Sequence, residues 1–223
     1  MADRPPFRTF GRTRSRRLKP RRAALFDDLL PELAIPTEPF DPRLLGLATE
    51  EIWLEIGFGA GEHLAAAARA RPDVMLLGAE TFIDGVGSLL RYVEGLALQN
   101  VRIHAGDARD LMANLPPGSI DRLFVLFPDP WPKARHRKRR LVQTSFVLEA
   151  ARILKPRARA RIATDWADYA ESILVELLSS PDFAWTAAAA DDWRIAPADH
   201  FPTRYQTRQL GDCPPIWLDF KRI

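Results

Sequence analysis

EIWLEIGFGAG, residues 51–61, is a β-rich run that ends in three glycines at alternate positions. The β-branched and aromatic residues over 52–56 predict a strand, and Gly57, Gly59 and Gly61 predict a sharp turn into a helix. Because glycine has no Cβ, the backbone of such a turn can approach a ligand closely. A plain turn between a strand and a helix needs fewer glycines, so the segment favours a ligand-binding loop.

The alternation of strand and helix continues towards both ends of the chain. Further strands are predicted at 74–79, 101–105, 121–127, 160–163, 183–187 and 216–220, and helices at 62–69, 87–97, 142–154 and 166–178. Strands that alternate with helices predict one α/β domain with a seven-stranded, mostly parallel sheet. We assign residues 51–223 to this domain and residues 1–50 to a basic N-terminal arm and lead-in segment, with a short helix at 23–30.

The charged residues are distributed unevenly along the 223-residue chain, whose net charge is only +3. Residues 1–22 carry nine Lys or Arg and one acid, and residues 133–140 carry six cations and no acid. The rest of the chain holds 17 basic and 28 acidic side chains, so an acidic body carries two basic segments. This asymmetry predicts a polyanionic partner.

The cellular setting is predicted from what the composition excludes. A single cysteine excludes a disulfide framework and a cysteine-based zinc cluster, which indicates a reducing compartment. No run approaches the ~18 apolar residues that a membrane-spanning helix needs, and the N-terminus has no apolar signal region. We therefore expect a cytoplasmic protein without a membrane segment, as a monomer, with a homodimer as the alternative.

Four acids follow the predicted strands at regular intervals. Glu55, Glu80, Asp107 and Asp129 are separated by 25, 27 and 22 residues, each about one strand–helix unit. Ligands of open α/β sheets bind beyond the carboxyl ends of the strands, so these acids are predicted to line one crevice; a helix cap is the alternative for any one alone. Glu62 would repel a pyrophosphate, which disfavours NAD and favours a cationic ligand such as S-adenosylmethionine.

A proline-rich loop and a basic run follow the fourth strand. The loop is FPDPWPK, residues 127–133, and its three alternating prolines predict a rigid, extended backbone that presents Asp129 and the flat face of Trp131. The run is KARHRKRR, residues 133–140. A charge run alone is usually a solvated face, and the loop alone could be a surface turn. Their adjacency predicts a phosphate-binding strip beside the crevice.

Taken in order, LEIGFGAGEHL, GAE, GDA, FPDPWPKARHRKRR, ATDW and TRYQTR resemble the bacterial tRNA (guanine-N7)-methyltransferase family over about residues 7–222. The resemblance implies a Rossmann-like class I methyltransferase fold with helices on both faces of the sheet. It also implies S-adenosylmethionine as cofactor, tRNA as partner, and methylation of guanine 46 in the variable loop.

The resemblance assigns roles residue by residue. Asp129 stands at the catalytic position, and the cofactor positions are Glu55, Glu80, Asp107 and Asp129. The glycine loop adds Gly57 and Gly59 to the predicted cofactor-binding residues. The substrate positions are Lys133, Asp165, Thr203, Arg204, Tyr205 and Gln206. The RNA-contacting positions are Arg135, His136, Arg137, Lys138, Arg139 and Arg140. Gln206 departs from the family, which usually has Glu there; it keeps a carbonyl acceptor and loses a charge.

The chemistry that the resemblance implies needs neither a metal nor a nucleophile. Guanine N7 has a lone pair and no hydrogen, so it can attack a methyl group without deprotonation. Catalysis then requires placement, and carboxylates such as Asp129 and Asp165 where positive charge develops. The four histidines have no metal-ligand spacing and are expected to be structural or superficial. The rival functions are a small-molecule methyltransferase, an RNA-binding module without cofactor, and an NAD enzyme.

Overall fold

The computed structural model describes residues 20–46 and 49–223. In that part of the chain seven strands form one sheet: β1 (Glu51–Ile56), β2 (Val74–Ala79), β3 (Val101–His104), β4 (Ile120–Leu126), β5 (Leu154–Thr164), β6 (Phe183–Trp185) and β7 (Ile216–Arg222). Their order is β3-β2-β1-β4-β5-β7-β6, and β7 alone of these runs antiparallel to both of its neighbours. The predicted seven-stranded, mostly parallel α/β fold is confirmed.

The described helices connect the strands on both faces. They are α1 (Pro20–Asp28), α2 (Leu30–Leu33), α3 (Glu62–Ala70), α4 (Ile83–Leu96), α5 (Ala108–Asn114), α6 (Thr144–Ile153), α7 (Ala167–Leu178), α8 (Asp191–Arg194) and α9 (Arg204–Thr207), with 3₁₀ turns at Pro42–Leu44 and Ala134–Arg139. The sequence pattern did not predict α2, α5, α8, α9 or either 3₁₀ turn, and the helix expected at 23–30 is α1, which begins at Pro20. β5 begins six residues before the predicted strand, because the exposed residues around Pro156 hide its alternation.

Two apolar layers cover the sheet, one on each face. Alternation along β1 sends Leu54 and Ile56 into one layer and Trp53 into the other, where its ring lies 5.7 Å from that of Phe124. Strands buried on both faces are typical of parallel sheets that are sandwiched between helices. The side to which a β1 residue points therefore decides which layer it enters, and this determines the position of Glu55.

The lead-in segment packs against the sheet domain. Leu25 of α1 is buried in the layer that contains α4, and Arg22 pairs with Asp84 at 3.3 Å. Ala34 forms a parallel bridge with Ile103 of β3. Residues 20–46 are thus part of the same fold, whereas the predicted basic arm falls largely on residues 1–19, outside the described residues. Among the described helices, none combines the length and the apolar character needed to cross a membrane.

Candidate active site

A cavity of about 450 Å³ opens at the carboxyl ends of β1, β2 and β4. Its size falls in the range of small-molecule sites, and its place is where open α/β sheets bind ligands. The predicted site residues in its wall are Gly57, Gly59, Glu80, Asp107, Asp129, Lys138, Arg139, Arg140 and Tyr205. An apolar wall that sequence reasoning missed comes from α5 and α6, with Ala108, Met112 and Phe146. Asp107 caps α5, and an Asp directly before a helix is the sequence signal from which this helix could have been predicted.

The glycine loop is shaped as a cradle. Gly57 and Gly59 have φ of +71° and +56°, and nothing lies within 4 Å of the place where a Cβ would stand on either. Gly61 serves packing instead, because a Cβ there would meet Leu89 of α4 at 2.8 Å. The Glu80 carboxylate holds the loop: Oε2 accepts from Gly59 N and Oε1 from Phe82 N, both at 2.8 Å. The open side of the loop therefore faces the cavity.

Three of the four predicted acids stand in the cavity wall. Burial raises the pKa of Glu80, and hydrogen bonds from the surrounding backbone oppose that rise. Asp107 accepts from the backbone N–H of Arg109 at 3.0 Å and also pairs with its guanidinium. Asp129 lies at the exposed rim, yet the enclosing protein desolvates its carboxyl and raises its pKa. The wall is therefore rich in acceptors for hydroxyl, amino and cationic groups.

Glu55 is a correction to the predicted row of acids. The alternation of β1 places it on the side of Trp53, away from the cavity, and it is only 3% exposed. Its Oε2 accepts a hydrogen bond from Nδ1 of His63 on α3 at 2.8 Å. The expectation that Glu55 lines the crevice with the other three is therefore wrong, and the carboxylate belongs to a buried cluster behind the glycine loop.

The proline-rich loop leaves the extended conformation at two residues, so the prediction of a rigid, extended backbone is wrong there. Phe127 and Trp131, each directly before a proline, have φ of +54° and +43°. Phe127 is held by a backbone hydrogen bond from its N–H to Ala163 O at 2.8 Å. The Arg139 guanidinium lies over the Trp131 ring, 4.9 Å from its centroid, and the His136 ring is nearly perpendicular to it with 5.9 Å between the centroids. Asp129 lies in the chain between these two residues of positive φ.

The basic run is not uniformly available to a partner. Arg140 is buried, donates from Nε to Pro130 O at 2.9 Å, pairs with Asp168 of α7 and lies over the Tyr169 ring. The expectation that Arg140 contacts RNA is therefore corrected: its guanidinium is used inside the protein. Arg137 also pairs with Asp168, at 2.8 Å. The exposed cations of the run are Lys133, Arg135, Arg137 and Lys138.

The remaining predicted substrate residues gather beside the cavity, although only Tyr205 of them lines it. Tyr205 donates to Asp165 Oδ1 at 3.4 Å, and burial together with the Asp165 charge raises the pKa of its phenol to about 12. Thr203 caps α9 by accepting from Gln206 N at 3.3 Å, and Arg204 pairs with Glu62 at the start of α3. Lys133 is exposed outside the cavity.

Comparison with known proteins decides the family. A family model described as "Putative methyltransferase" matches residues 49–210. A tRNA (guanine-N(7)-)-methyltransferase of Caulobacter sp. (strain K31) is 58% identical over 218 residues, which cover 98% of this chain and 96% of that protein. The chain belongs to the tRNA (guanine-N7)-methyltransferase family.

Other comparisons agree with this methyltransferase assignment. The tRNA (guanine-N(7)-)-methyltransferase of Hyphomonas neptunium is 46% identical, over 96% of this chain and 99% of that protein. Among solved structures, TrmN from Thermus thermophilus has a TM-score of 0.56 at 18% identity, over 78% of this chain and 45% of that chain. A precorrin-6y C5,15-methyltransferase from Geobacter metallireducens has a TM-score of 0.54 at 13% identity, covering 91% and 88%. These two similarities show the fold.

The methyl donor of this methyltransferase is S-adenosylmethionine, and the cavity fits it. The space left open by Gly57 and Gly59 is the kind of cradle that a ligand fills, and the acids Glu80 and Asp107 offer acceptors for hydroxyl and amino groups. The apolar wall of α5 and α6 suits a flat purine ring. Among the described residues, no group of His, Cys, Asp and Glu side chains is arranged to hold a metal ion.

Proposed function

We propose that this methyltransferase transfers the methyl group of S-adenosylmethionine to N7 of guanine 46 in the variable loop of tRNA. The observation that carries the proposal is the direct continuity between the cavity, with Asp129 at its rim, and the exposed cations of the run 133–140. A cavity for the donor and a strip for phosphates are thereby combined on one side of the sheet. The two relatives described above are named for methylation of guanine N7 in tRNA.

The residues of this chain have to place the base and stabilise its charge. The bound donor supplies an electrophilic methyl group on a sulfonium. Guanine N7 carries a lone pair and no proton, so no general base is required. What remains is in-line placement and a carboxylate near the ring that becomes cationic. Asp129 fits this role because its desolvation strengthens its attraction to a positive ring.

The other roles follow from position. Gly57, Gly59, Glu80 and Asp107 are proposed to hold the donor, since they form the cavity wall at the ends of β1, β2 and β3. Asp165 and the motif Thr203–Gln206 are proposed to contact the guanine from the opposite side, through Tyr205. The exposed Lys133, Arg135, Arg137 and Lys138 are proposed to contact backbone phosphates.

The test is to map the methylated base. The purified protein is incubated with an unmodified tRNA transcript and S-adenosylmethionine labelled on its methyl group, and 7-methylguanosine is located by borohydride–aniline cleavage. We expect one methyl group per tRNA, at guanine 46, and no incorporation into a transcript with adenine at that position. Labelling of another guanine would overturn the assignment of guanine 46 as the methylated base. Labelling of no RNA at all would favour a small-molecule methyltransferase or an RNA-binding module.

A further inference from the structure

α9 is too short to be stable as a helix on its own. A helix of four residues is unstable in isolation, so contacts from elsewhere must fix it. Its residue in the cavity wall is Tyr205, and the residues on either side are each tied to another element: Arg204 to Glu62, and Gln206 to His200. The placement of Tyr205 therefore depends on these two backbone anchors, together with the contacts of its own side chain with Asp165 and Phe127.

The two anchors differ in strength. The Arg204 side chain is 66% exposed, and an exposed ion pair contributes about 0–1 kcal/mol. His200, by contrast, is enclosed: its ring is stacked 5.4 Å from the ring of His63 and lies 4.4 Å from that of Trp217. Trp217 is 1% exposed on β7, and His63 is held by Glu55. His200 is thus the rigid anchor, with Nε2 placed 2.8 Å from Gln206 Oε1.

The proton on His200 can be assigned from what surrounds the ring. Burial lowers its pKa, which favours the neutral ring with a single N–H. Within the described part of the chain, its buried Nδ1 has no hydrogen-bond partner. A buried N–H without an acceptor costs more than a bare lone pair, so we assign the proton to Nε2, from which it is donated to the Gln206 amide oxygen. An uncharged acceptor suits this neutral donor.

We propose that His200 is a positioning residue for methyl transfer: its Nε2–H holds the Gln206 amide, and this pair sets where Tyr205 stands in the cavity. The inference rests on the proposed function, in which the motif Thr203–Gln206 contacts the target guanine. It also gives a reason for glutamine at position 206, because a carboxylate there would bring a second acid to the cluster that already contains Glu55.

The test compares His200→Phe, which keeps a ring, with His200→Gln, which restores an N–H near the position of Nε2. At saturating S-adenosylmethionine, we expect His200→Phe to lower kcat/KM for tRNA about 3- to 10-fold, as loss of one hydrogen bond predicts. The Kd for S-adenosylmethionine should not change. His200→Gln should recover kcat/KM to within about two-fold of the parent. Gln206→Met should match His200→Phe, and the double variant should be no worse than either single one.

The outcomes separate the possible failures. Gln99→Met, at an exposed loop position, serves as the matched control and should behave as the parent. Additive effects of His200→Phe and Gln206→Met would overturn the pairing. A lower Tm with unchanged kcat/KM would show a merely structural role, and this too would overturn the inference. If the parent itself methylates no tRNA, the proposed function fails instead, and this result is distinct from the other two.

Discussion

The Asp129 carboxyl can be reached from the cavity and is desolvated by the protein around it. A group that stabilises a cationic ring needs both properties. We predict that Asp129→Asn lowers kcat for tRNA methylation by at least about 100-fold, since a well-aimed electrostatic group contributes ~3 kcal/mol or more. The substitution keeps the shape of the side chain, and its position at the exposed rim should leave Tm nearly unchanged. Methyl incorporation at saturating substrates is the measurement.

Asp73→Asn supplies the control for this change, because Asp73 is exposed just before β2, at the amino ends of the parallel strands and away from the cavity. It should retain full activity. A turnover of Asp129→Asn within a few-fold of the parent would remove Asp129 from the catalytic role, and Asp165 would then be the carboxylate to test.

Gly59 is predicted to be essential for donor binding. A side chain there would stand in the open cradle and would also strain a backbone with φ of +56°, which costs about 1 kcal/mol. The parent should gain about 2.7 kcal/mol of stability at a donor concentration 100 times its Kd, and Gly59→Val should lose this gain. Thermal unfolding with and without S-adenosylmethionine measures both values.

Gly95 in α4 offers a matched control for the glycine prediction. A Cβ there meets nothing within 4 Å, so Gly95→Ala should stabilise the helix by about 0.5–1 kcal/mol and keep the full shift with S-adenosylmethionine. An equal shift in Gly59→Val would show that the donor binds elsewhere.

At the scale of elements, the basic run divides into a buried end and an exposed strip. We predict that Arg135→Ala with Lys138→Ala lowers the slope of log K against log salt for tRNA binding by about 1.4–1.8, with little change in Tm. Arg140→Met should do the reverse: it removes the buried guanidinium that bonds to Pro130 O and to the partly exposed Asp168, and should destabilise the fold by about 1–2 kcal/mol without changing the slope. Binding titrations at several salt concentrations, together with urea unfolding, distinguish them. An unchanged slope in the double variant would make the strip an ordinary solvated face.

The segment before α9 is anchored by Asp199, which bonds to Arg122 at 2.5 Å and to Arg161 at 2.6 Å. Burial alone would raise the pKa of Asp199, but these two hydrogen bonds prevail and lower it to about 2, from 3.8. The pKa in the folded state is below that in the unfolded chain. The contribution to stability is therefore present above pH 3.8 and is lost as the pH falls towards 2.

Asp199→Asn should consequently reduce the free energy of unfolding by about 1 kcal/mol at pH 7, a figure discounted for the partial exposure of the side chain. The difference from the parent should shrink as the pH falls from 3.8 to about 2. Urea midpoints across this range provide the measurement, with the exposed Asp191→Asn of α8 as control. A difference that does not change with pH would exclude the ion pairs as its cause.

The limits of sequence reasoning are clearest among these elements. Local patterns predicted the strands and the glycine loop, because alternation and glycine content are properties of neighbouring residues. They did not predict the burial of Arg140, since Asp168 comes from another helix 28 residues away. His63 and His200 appear scattered along the chain, yet the fold stacks them. α9 has only its Thr203 cap as a local signal, because tertiary contacts hold the rest of it.

For the molecule as a whole, the uneven charge distribution now has a spatial meaning. The acids of the body include those of the cavity wall and those that neutralise buried arginines, such as Asp168 and Asp199. The exposed cations of the strip lie beside the same cavity. A partner that carries phosphates is thereby attracted to the side of the sheet where the donor is proposed to bind.

The hydrogen bond from Arg140 Nε to Pro130 O joins the two ends of an eleven-residue segment that contains Trp131 and the whole strip. With its ends tied, the segment has fewer conformations in which the backbone that carries the exposed cations can move relative to Asp129. An RNA whose backbone phosphates contact those cations would therefore place one nucleotide in the cavity. The nucleotides on either side of it would lie outside the cavity. We expect the choice among the many guanines of a tRNA to be made by this spacing, without any reading of the surrounding bases.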